Sequence, residues 1–360
     1  MDIMIDLPKE IIRRKNLSKR VISTLVRWPT TENVEESYKK CCVYITGSLA
    51  RYELDENSDL DLFVVDHFEP DNPESALTFV EQSRVVSSLE DIRNDSLFAK
   101  RKFSRGGYFL QPLPFSAMVD EIGDPQDDAR NLFTARMLLL INSYPMINKD
   151  GYDRLRKEAT DAYWTLVDSK GRASTAPGDM PYKPIMFLND LKRWWLSVAL
   201  NFERSHNHRA IARKMELRKA QGIFDPLEDP RVERRLANLK LRHARVLAVY
   251  SVLASILACE RSEGIIRSDF EYIIQSSPIE RLMYIAQYHP NFEEDVSRLL
   301  AMYATYLEFL TGSKVELASR IKDDKQYKPV KFQAYDFHSG LFNLINRLGE
   351  KSLLYQYIVV

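Results

Sequence analysis

Two pairs of residues near the N-terminus have the types and spacing to handle a phosphate and a cation. Gly47 and Ser48 follow residues 43–46, an apolar segment that predicts a strand. A glycine there lets the backbone turn sharply toward a ligand, and the next hydroxyl and amides can face a phosphate. Asp59 and Asp61 open a second apolar segment, where strand alternation would set both carboxylates on one face, roughly 6.6 Å apart. Because like charges repel, we expect a hard cation between them, Mg²⁺ or alternatively Mn²⁺.

The order of these features is more informative than either pair alone, since Gly-Ser and Asp-x-Asp are each common. A polar loop with Arg51 and Glu53 joins the two pairs, and Ser58 precedes the first aspartate. Apolar residues then continue through residues 60–65, which predicts that the second strand is buried as well. An exposed turn would not need two buried flanking strands, so the pattern favours a ligand site.

These residues resemble a known signature. Gly47-Ser48 followed by residues 58–61 is similar to the motif of the DNA polymerase β-type nucleotidyltransferase superfamily. The fuller string, residues 46–63, more closely resembles a bacterial branch related to the protein-PII uridylyltransferases. Residues 127–140 and 239–245 resemble the same branch, so that the resemblance spans roughly residues 40–250.

The resemblance implies a reaction, the transfer of a nucleoside monophosphate from a nucleoside triphosphate to a hydroxyl, with release of pyrophosphate. Asp59 and Asp61 would be the catalytic carboxylates and the metal ligands. The implied nucleotide contacts in this segment are Gly47, Ser48, Arg51 and Ser58. The acceptor stays open among a protein, an RNA and a small molecule; a short RNA end or a protein would fit.

One departure from the family pattern concerns the third carboxylate that such enzymes usually carry on a neighbouring strand. The expected strand covers residues 108–113, where the polar member is Gln111, which cannot act as a base. Asp120 and Glu121 follow, but they lie in a segment that predicts a helix. Three hypotheses remain: an active transferase, a degenerate regulator that only binds nucleotide, and an interaction protein whose function lies in its helical part.

A second candidate site is a basic stripe further along the chain. Asn238, Arg242 and Arg245 recur at i, i+4 and i+7, with Lys240 to one side. A triphosphate needs positive charge, and arginine can grip phosphate oxygens with two donors. Lys240, Arg242 and Arg245 are therefore candidate phosphate ligands, although a basic stripe is also typical of a solvated helix face.

The chain has 360 residues, which exceeds the usual size of a single core and predicts two domains. We expect an α/β nucleotidyltransferase domain over residues 1–125, with N-terminal helices and a small mixed sheet with flanking helices. An all-α domain over residues 126–360 would complete the nucleotide and acceptor cleft. Helical periodicity marks residues 132–141, 185–202 and 231–259, and after residue 125 no convincing alternating strand pattern appears before the C-terminus.

The composition limits which partners the chain is expected to bind and in which cellular compartment it is expected to work. The 51 basic and 51 acidic residues give no net charge, which argues against an extended DNA-binding surface. The three cysteines lack metal-ligand spacing and suit a reducing cytoplasm. No uninterrupted apolar stretch is long enough to span a bilayer, so we expect no membrane association.

Overall fold

The chain folds into two compact units. The sheet unit contains Arg14–Leu54 and Ser58–Tyr182, and the helical unit contains Met1–Arg13, Asp55–Asn57 and Lys183–Val360. The long segments therefore divide near residue 182, whereas the sequence suggested a boundary near residue 125. The computed structural model describes the whole chain except residues 1–4, 29–30, 68–75, 95–102, 104–106, 108, 168–172, 179, 222–225, 262–263 and 360.

A mixed four-stranded sheet forms the centre of the sheet unit, in the order β3-β2-β1-β4. Its strands are β1 (Cys41–Ile45), β2 (Leu62–Asp66), β3 (Leu113–Pro114) and β4 (Tyr144–Ile147). The middle strand β1 pairs antiparallel with both β2 and β4, while β2 pairs parallel with β3. The small mixed sheet expected in the N-terminal half is thus confirmed.

Helices cover both faces of this sheet. They are α1 (Lys9–Val26), α2 (Glu32–Lys39), α3 (Gly47–Ala50), α4 (Phe79–Asn94), α5 (Phe115–Asp120), α6 (Pro125–Ala129), α7 (Leu132–Ile141) and α8 (Lys149–Tyr163). One face of β1 and β2 is buried with apolar residues of α1 and α4. That face includes Val43 and Val64, which stand opposite each other in the ladder and are fully buried.

The opposite face of the sheet explains why the unit extends beyond residue 125. The Tyr44 and Phe63 rings stack there with centroids 5.4 Å apart, and Tyr44 also packs on Tyr152 of α8. The Tyr44 hydroxyl donates to the carbonyl of Ala135 in α7. Because α7 and α8 bury this aromatic face, they belong to the same core as the sheet.

Among the described residues after residue 125 there are three strands, where the sequence predicted none. One is the sheet strand β4, and the others form a hairpin of β5 (Thr165–Val167) and β6 (Ala173–Thr175). In β4 only Met146 is fully buried, and Pro145 interrupts the run. Such a short edge strand leaves no alternating apolar pattern to detect.

The helical unit surrounds one very apolar helix. Its helices are α9 (Ile185–His206), α10 (His208–Gln221), α11 (Pro230–Lys240), α12 (Val246–Cys259), α13 (Arg267–Gln275), α14 (Pro278–Tyr288), α15 (Glu293–Leu310), α16 (Lys314–Lys322), α17 (Asp324–Gly349) and α18 (Leu353–Val359). Every residue of α12 except Tyr250 is buried. A π-turn, Leu241–Arg245, joins α11 to α12. The predicted helical C-terminal region is confirmed.

One described helix is long and apolar enough to cross a membrane by these two criteria alone. It is the continuous Pro230–Cys259, whose most apolar 18-residue window has a mean hydropathy of 1.4, and 83% of that window is buried inside the protein. A core helix of a soluble protein has the same properties, which is consistent with the expectation of a soluble chain.

Candidate functional site

The turn after β1 brings the predicted glycine against one of the predicted aspartates. Gly47 has a φ of +70°, in the left-handed region that favours glycine. A Cβ at Gly47 would lie 2.9 Å from Asp61 Cγ and closer still to its Oδ2. The backbone amide of Thr46 also donates to the carbonyl of Asp61, at 2.8 Å. The end of β1 and the start of β2 therefore meet through the pair of positions that the sequence singled out.

Both aspartates lie just before β2 rather than within it, since the strand begins at Leu62. Between them, Leu60 is buried and forms an isolated parallel bridge to Phe103. Asp61 is half-buried against Gly47, whereas Asp59 is exposed. Leu60 anchors the segment, so the backbone positions of both carboxylates are held by the sheet.

Buried charged residues hold the loop between the Gly47-Ser48 turn and Asp59 in place. The Arg51 guanidinium bonds the Glu53 carboxylate, with Nε 2.8 Å from Oε2 and only 13% and 6% of the two side chains exposed. The fully buried Arg14 of α1 donates to the backbone carbonyl of Glu53 at 2.9 Å. Leu54 N donates to the Ser18 hydroxyl, also on α1. Arg51 was a predicted nucleotide contact; in the structure it holds the loop through Glu53.

The two predicted serines differ in exposure. Ser48 is half-buried in the short helix α3, and its carbonyl accepts from Glu53 N at 2.8 Å. Ser58 is 9% exposed and directly precedes Asp59. The four-residue α3 begins at Gly47, so its first amides start at the turn where Asp61 lies.

The third carboxylate expected from family resemblance has no counterpart where it was sought. The neighbouring strand exists as β3, which pairs Leu113 with Val65 of β2. Gln111 precedes that strand and is exposed; Tyr108 lies outside the described residues. Asp120 ends α5, as the predicted helix required, and Glu121 follows it as the C-cap, just outside the helix. Among the residues that the structure describes, no group of three or more His, Cys, Asp or Glu side chains could hold a metal ion.

The predicted basic stripe lies in the helical unit and is interrupted by the π-turn. Lys240 ends α11, and Arg242 and Arg245 belong to the π-turn. The Arg242 guanidinium is stacked 4.7 Å from the centroid of the Tyr335 ring, and its carbonyl accepts a hydrogen bond from His338. Arg245 is exposed and Lys240 half-buried. A π-turn inserts a residue into the helix and is often found at functional sites, and here it alters the i, i+4, i+7 spacing that the sequence suggested.

Residues 127–140, the second segment of the resemblance, contain a buried ion pair that is structural. Arg136 binds Asp127 through two hydrogen bonds, at 3.0 and 2.6 Å, and both side chains are fully buried. Arg136 also donates to the Tyr163 hydroxyl and the Met118 carbonyl. Burial opposes the charge of Arg136, but Asp127 and Tyr163 raise its pKa above the usual value. The pair joins α6 to α7 and gives Asp127 and Arg136 a structural role.

Comparisons with known proteins add no constraint on the site. No protein-family model matches the chain, and neither a curated protein nor a solved structure matches it. The assignment of the site therefore depends on the motif and on the geometry at Gly47 and Asp61.

Proposed function

We propose that the sheet unit is a nucleotidyltransferase that moves a nucleoside monophosphate from a nucleoside triphosphate to a hydroxyl acceptor and releases pyrophosphate. The contact between Gly47 and the Asp61 carboxylate carries this proposal. It joins the two halves of the motif, which are separated in sequence by the loop of Arg51 and Glu53. In a surface turn that binds no ligand, we would not expect a carboxylate to be packed against a glycine backbone as Asp61 is against Gly47.

Each motif residue has a role in this proposal. Gly47 leaves the backbone open to the phosphates, and Ser48 offers a hydroxyl at the same turn. Asp59 and Asp61 supply hard oxygen donors of the kind that Mg²⁺ and Mn²⁺ prefer, and they would hold the ion. The bound ion would neutralise charge that develops on the attacking and leaving oxygens. Positioning and charge stabilisation then supply most of the rate, as phosphoryl-transfer enzymes generally require.

The test uses the purified chain, Mg²⁺ and each of the four α-labelled ribonucleoside triphosphates, with RNA and protein from a lysate as acceptors. We expect label on one acceptor class together with pyrophosphate release. Asp59→Asn and Asp61→Asn should each lower the rate at least about 100-fold while the fold is kept. Glu56→Gln, which removes an exposed carboxylate of the neighbouring loop, is the matched control and should transfer normally. Full turnover in both aspartate variants would rule the proposal out.

A second function, nucleotide sensing without transfer, is favoured by two observations. Gln111 is exposed near the place where the third carboxylate was expected, and the described residues offer no cluster of three metal-binding side chains. A two-carboxylate site could bind a Mg²⁺-triphosphate without activating an acceptor hydroxyl. Isothermal titration together with a pyrophosphate assay distinguishes the two functions: both bind triphosphate with Mg²⁺ dependence, but a sensor releases no pyrophosphate with any acceptor.

A further inference from the structure

The helical unit has an open, strongly basic pocket that the transferase proposal does not use. It has a volume of about 840 Å³ and is formed by α11, the end of α16 and the first turns of α17. Its lining includes six Arg or Lys residues and two Asp residues, an excess of four positive charges. Since the whole chain has no net charge, this local excess marks a preference for an anion.

The two acids of the pocket hold some of its cations in place. Asp324 binds Arg235 at 2.7 Å and Lys328 at 3.1 Å. The pKa of Asp324 is lowered most by its hydrogen bond to Lys328 and next by its hydrogen bond to Arg235. Asp229 binds Lys322 at 3.1 Å. Both acids stay charged at neutral pH, so they position this inner set of cations while the pocket remains positive.

Three further cations of the pocket have no such partner. Arg231 and Arg234 of α11 and Lys331 of α17 make no ion pair with a carboxylate among the residues that the structure describes. Arg231 and Arg234 are exposed, and Lys331 is half-exposed. Cations gathered without counter-charges repel one another, and an anionic ligand would relieve that repulsion.

Aromatic rings accompany these cations along the same two helices. Arg235 stacks over the Tyr327 ring at 4.7 Å, and Arg242 stacks over the Tyr335 ring at the same distance. Arg242 follows Arg235 by seven residues and Tyr335 follows Tyr327 by eight, so the two pairs lie about 10–12 Å apart along the helices. We call the surface between these pairs, with Lys331 beside it, the α11–α17 groove.

Two aromatic rings of α17 that follow Lys331 in the chain are exposed. Phe332 is 60% exposed and Tyr335 is 45% exposed, and they follow Lys331 on α17 by one and four residues. A site for inorganic phosphate or an acidic peptide has no use for flat exposed rings. Cations that follow a backbone, combined with rings on which bases stack, are the features that bind single-stranded nucleic acid.

We propose that the α11–α17 groove binds a short single-stranded nucleic acid, with its phosphates against Arg231, Arg234 and Lys331 and its bases stacked on Phe332 and Tyr335. The proposal does not rest on nucleotide transfer by the sheet unit. The short length of the groove agrees with the neutral net charge of the chain, which argues against an extended footprint.

The test measures binding of fluorescein-labelled single-stranded RNA and single-stranded DNA of about twelve nucleotides to the full chain, by anisotropy over a range of salt concentrations. The triple variant Arg231→Ala/Arg234→Ala/Lys331→Ala should weaken binding and reduce the salt slope by about 2, near 0.7 for each lost phosphate contact. Phe332→Ala and Tyr335→Ala should each weaken binding roughly 5- to 100-fold without changing that slope. The stronger of the two oligonucleotides identifies RNA or DNA as the ligand.

Matched controls come from the same unit. Arg204→Ala/Arg298→Ala/Lys351→Ala removes three exposed cations outside the groove, and Phe342→Ala removes an exposed ring further along α17. Both controls should bind like the unchanged chain, and thermal melts verify that every variant is folded. The proposal is overturned if neither oligonucleotide binds at low salt or if the control triple weakens binding as much as the groove triple. Binding that depends on the cations but not on either ring would also overturn it, because the ligand would then be an anion without stacked bases.

Discussion

The backbone of Gly47 lies directly against the carboxylate of Asp61, so that a Cβ at residue 47 fits only if the Asp61 side chain moves. Thr46 reinforces this contact by a hydrogen bond from its amide to the Asp61 carbonyl. The glycine is thus required twice, once for its left-handed φ and once for the space that Asp61 occupies. Gly123 provides a comparison, because it has a φ of +82° but nothing within 4 Å of where its Cβ would be.

The first prediction separates these two requirements. Gly123→Ala should cost about 1–2 kcal/mol, the penalty of a left-handed conformation with a Cβ. Gly47→Ala should cost that amount and a further 1–3 kcal/mol or so, because the new Cβ displaces the Asp61 carboxylate. Urea unfolding measures both variants, and nucleotide binding should weaken only in Gly47→Ala. Equal stability losses in the two variants would show that Asp61 moves aside freely.

The second prediction concerns the buried ion pair of Asp127 and Arg136. Arg136→Met leaves an uncompensated carboxylate in the core and should destabilise the protein by about 3–5 kcal/mol. Asp127→Leu combined with Arg136→Met removes both charges and should recover much of that loss. Arg130→Met breaks the exposed pair with Glu121 and should cost less than about 1 kcal/mol. Denaturant midpoints provide the comparison, and an Arg136→Met midpoint equal to that of Arg130→Met would contradict it.

The third prediction is a pH dependence that originates at His243. The ring is fully buried and stacks on Tyr306 with centroids 4.2 Å apart, and burial lowers its pKa to about 4. The positive charges of His338 and Arg242 act in the same direction. Because the unfolded histidine titrates near pH 6.5, its contribution is complete above that pH and is lost as pH falls toward 4. The loss amounts to roughly 3 kcal/mol.

His243→Phe keeps an aromatic ring at this position but cannot be protonated. Its free energy of unfolding should therefore fall less steeply than that of the unchanged chain between pH 7 and pH 4. His208→Phe, at an exposed position, should leave the pH dependence as it was. Parallel pH profiles for the unchanged chain and His243→Phe would mean that the buried ring is not the titrating group.

The fourth prediction is that the three thiols are unreactive in the folded protein. Cys41, Cys42 and Cys259 are free and buried, and burial raises the pKa of Cys42 and of Cys259 to about 12. Since the thiolate is the reactive form, Ellman's reagent at pH 8 should find essentially no thiol before unfolding and all three afterwards. Cys259→Ala should reduce the unfolded count by one. Rapid reaction of any thiol in the native protein would contradict the burial.

Local patterns in the sequence were sufficient for features that depend on neighbours along the chain. The helix predicted at residues 132–141 matches α7 in full, and the one predicted at residues 231–259 corresponds to the continuous Pro230–Cys259. Both have long apolar faces, whose period of 3.6 residues is visible in a single segment. The strand before Gly47 was also predicted, to within two residues at its start.

The features that the sequence did not reveal depend on contacts between distant residues. The spacing of Lys328, Lys331 and Tyr335 at i, i+3 and i+7 was the one available signal for the α11–α17 groove. It places the three residues on one face of α17, and that face forms a groove only because α11 packs beside it. The strand β4 became visible only by its pairing with β1.

The sequence by itself determined that a Gly-Ser turn and two aspartates flank the ends of two buried strands, because strand burial and turn chemistry are local properties. Only the tertiary structure decided that the Asp61 carboxylate occupies the space beside Gly47, that Arg51 is held by Glu53, and that the sheet unit continues to Tyr182. Those outcomes follow from how the sheet is covered and from which charges are buried together. Such packing depends on residues far apart in the chain, which no local pattern records.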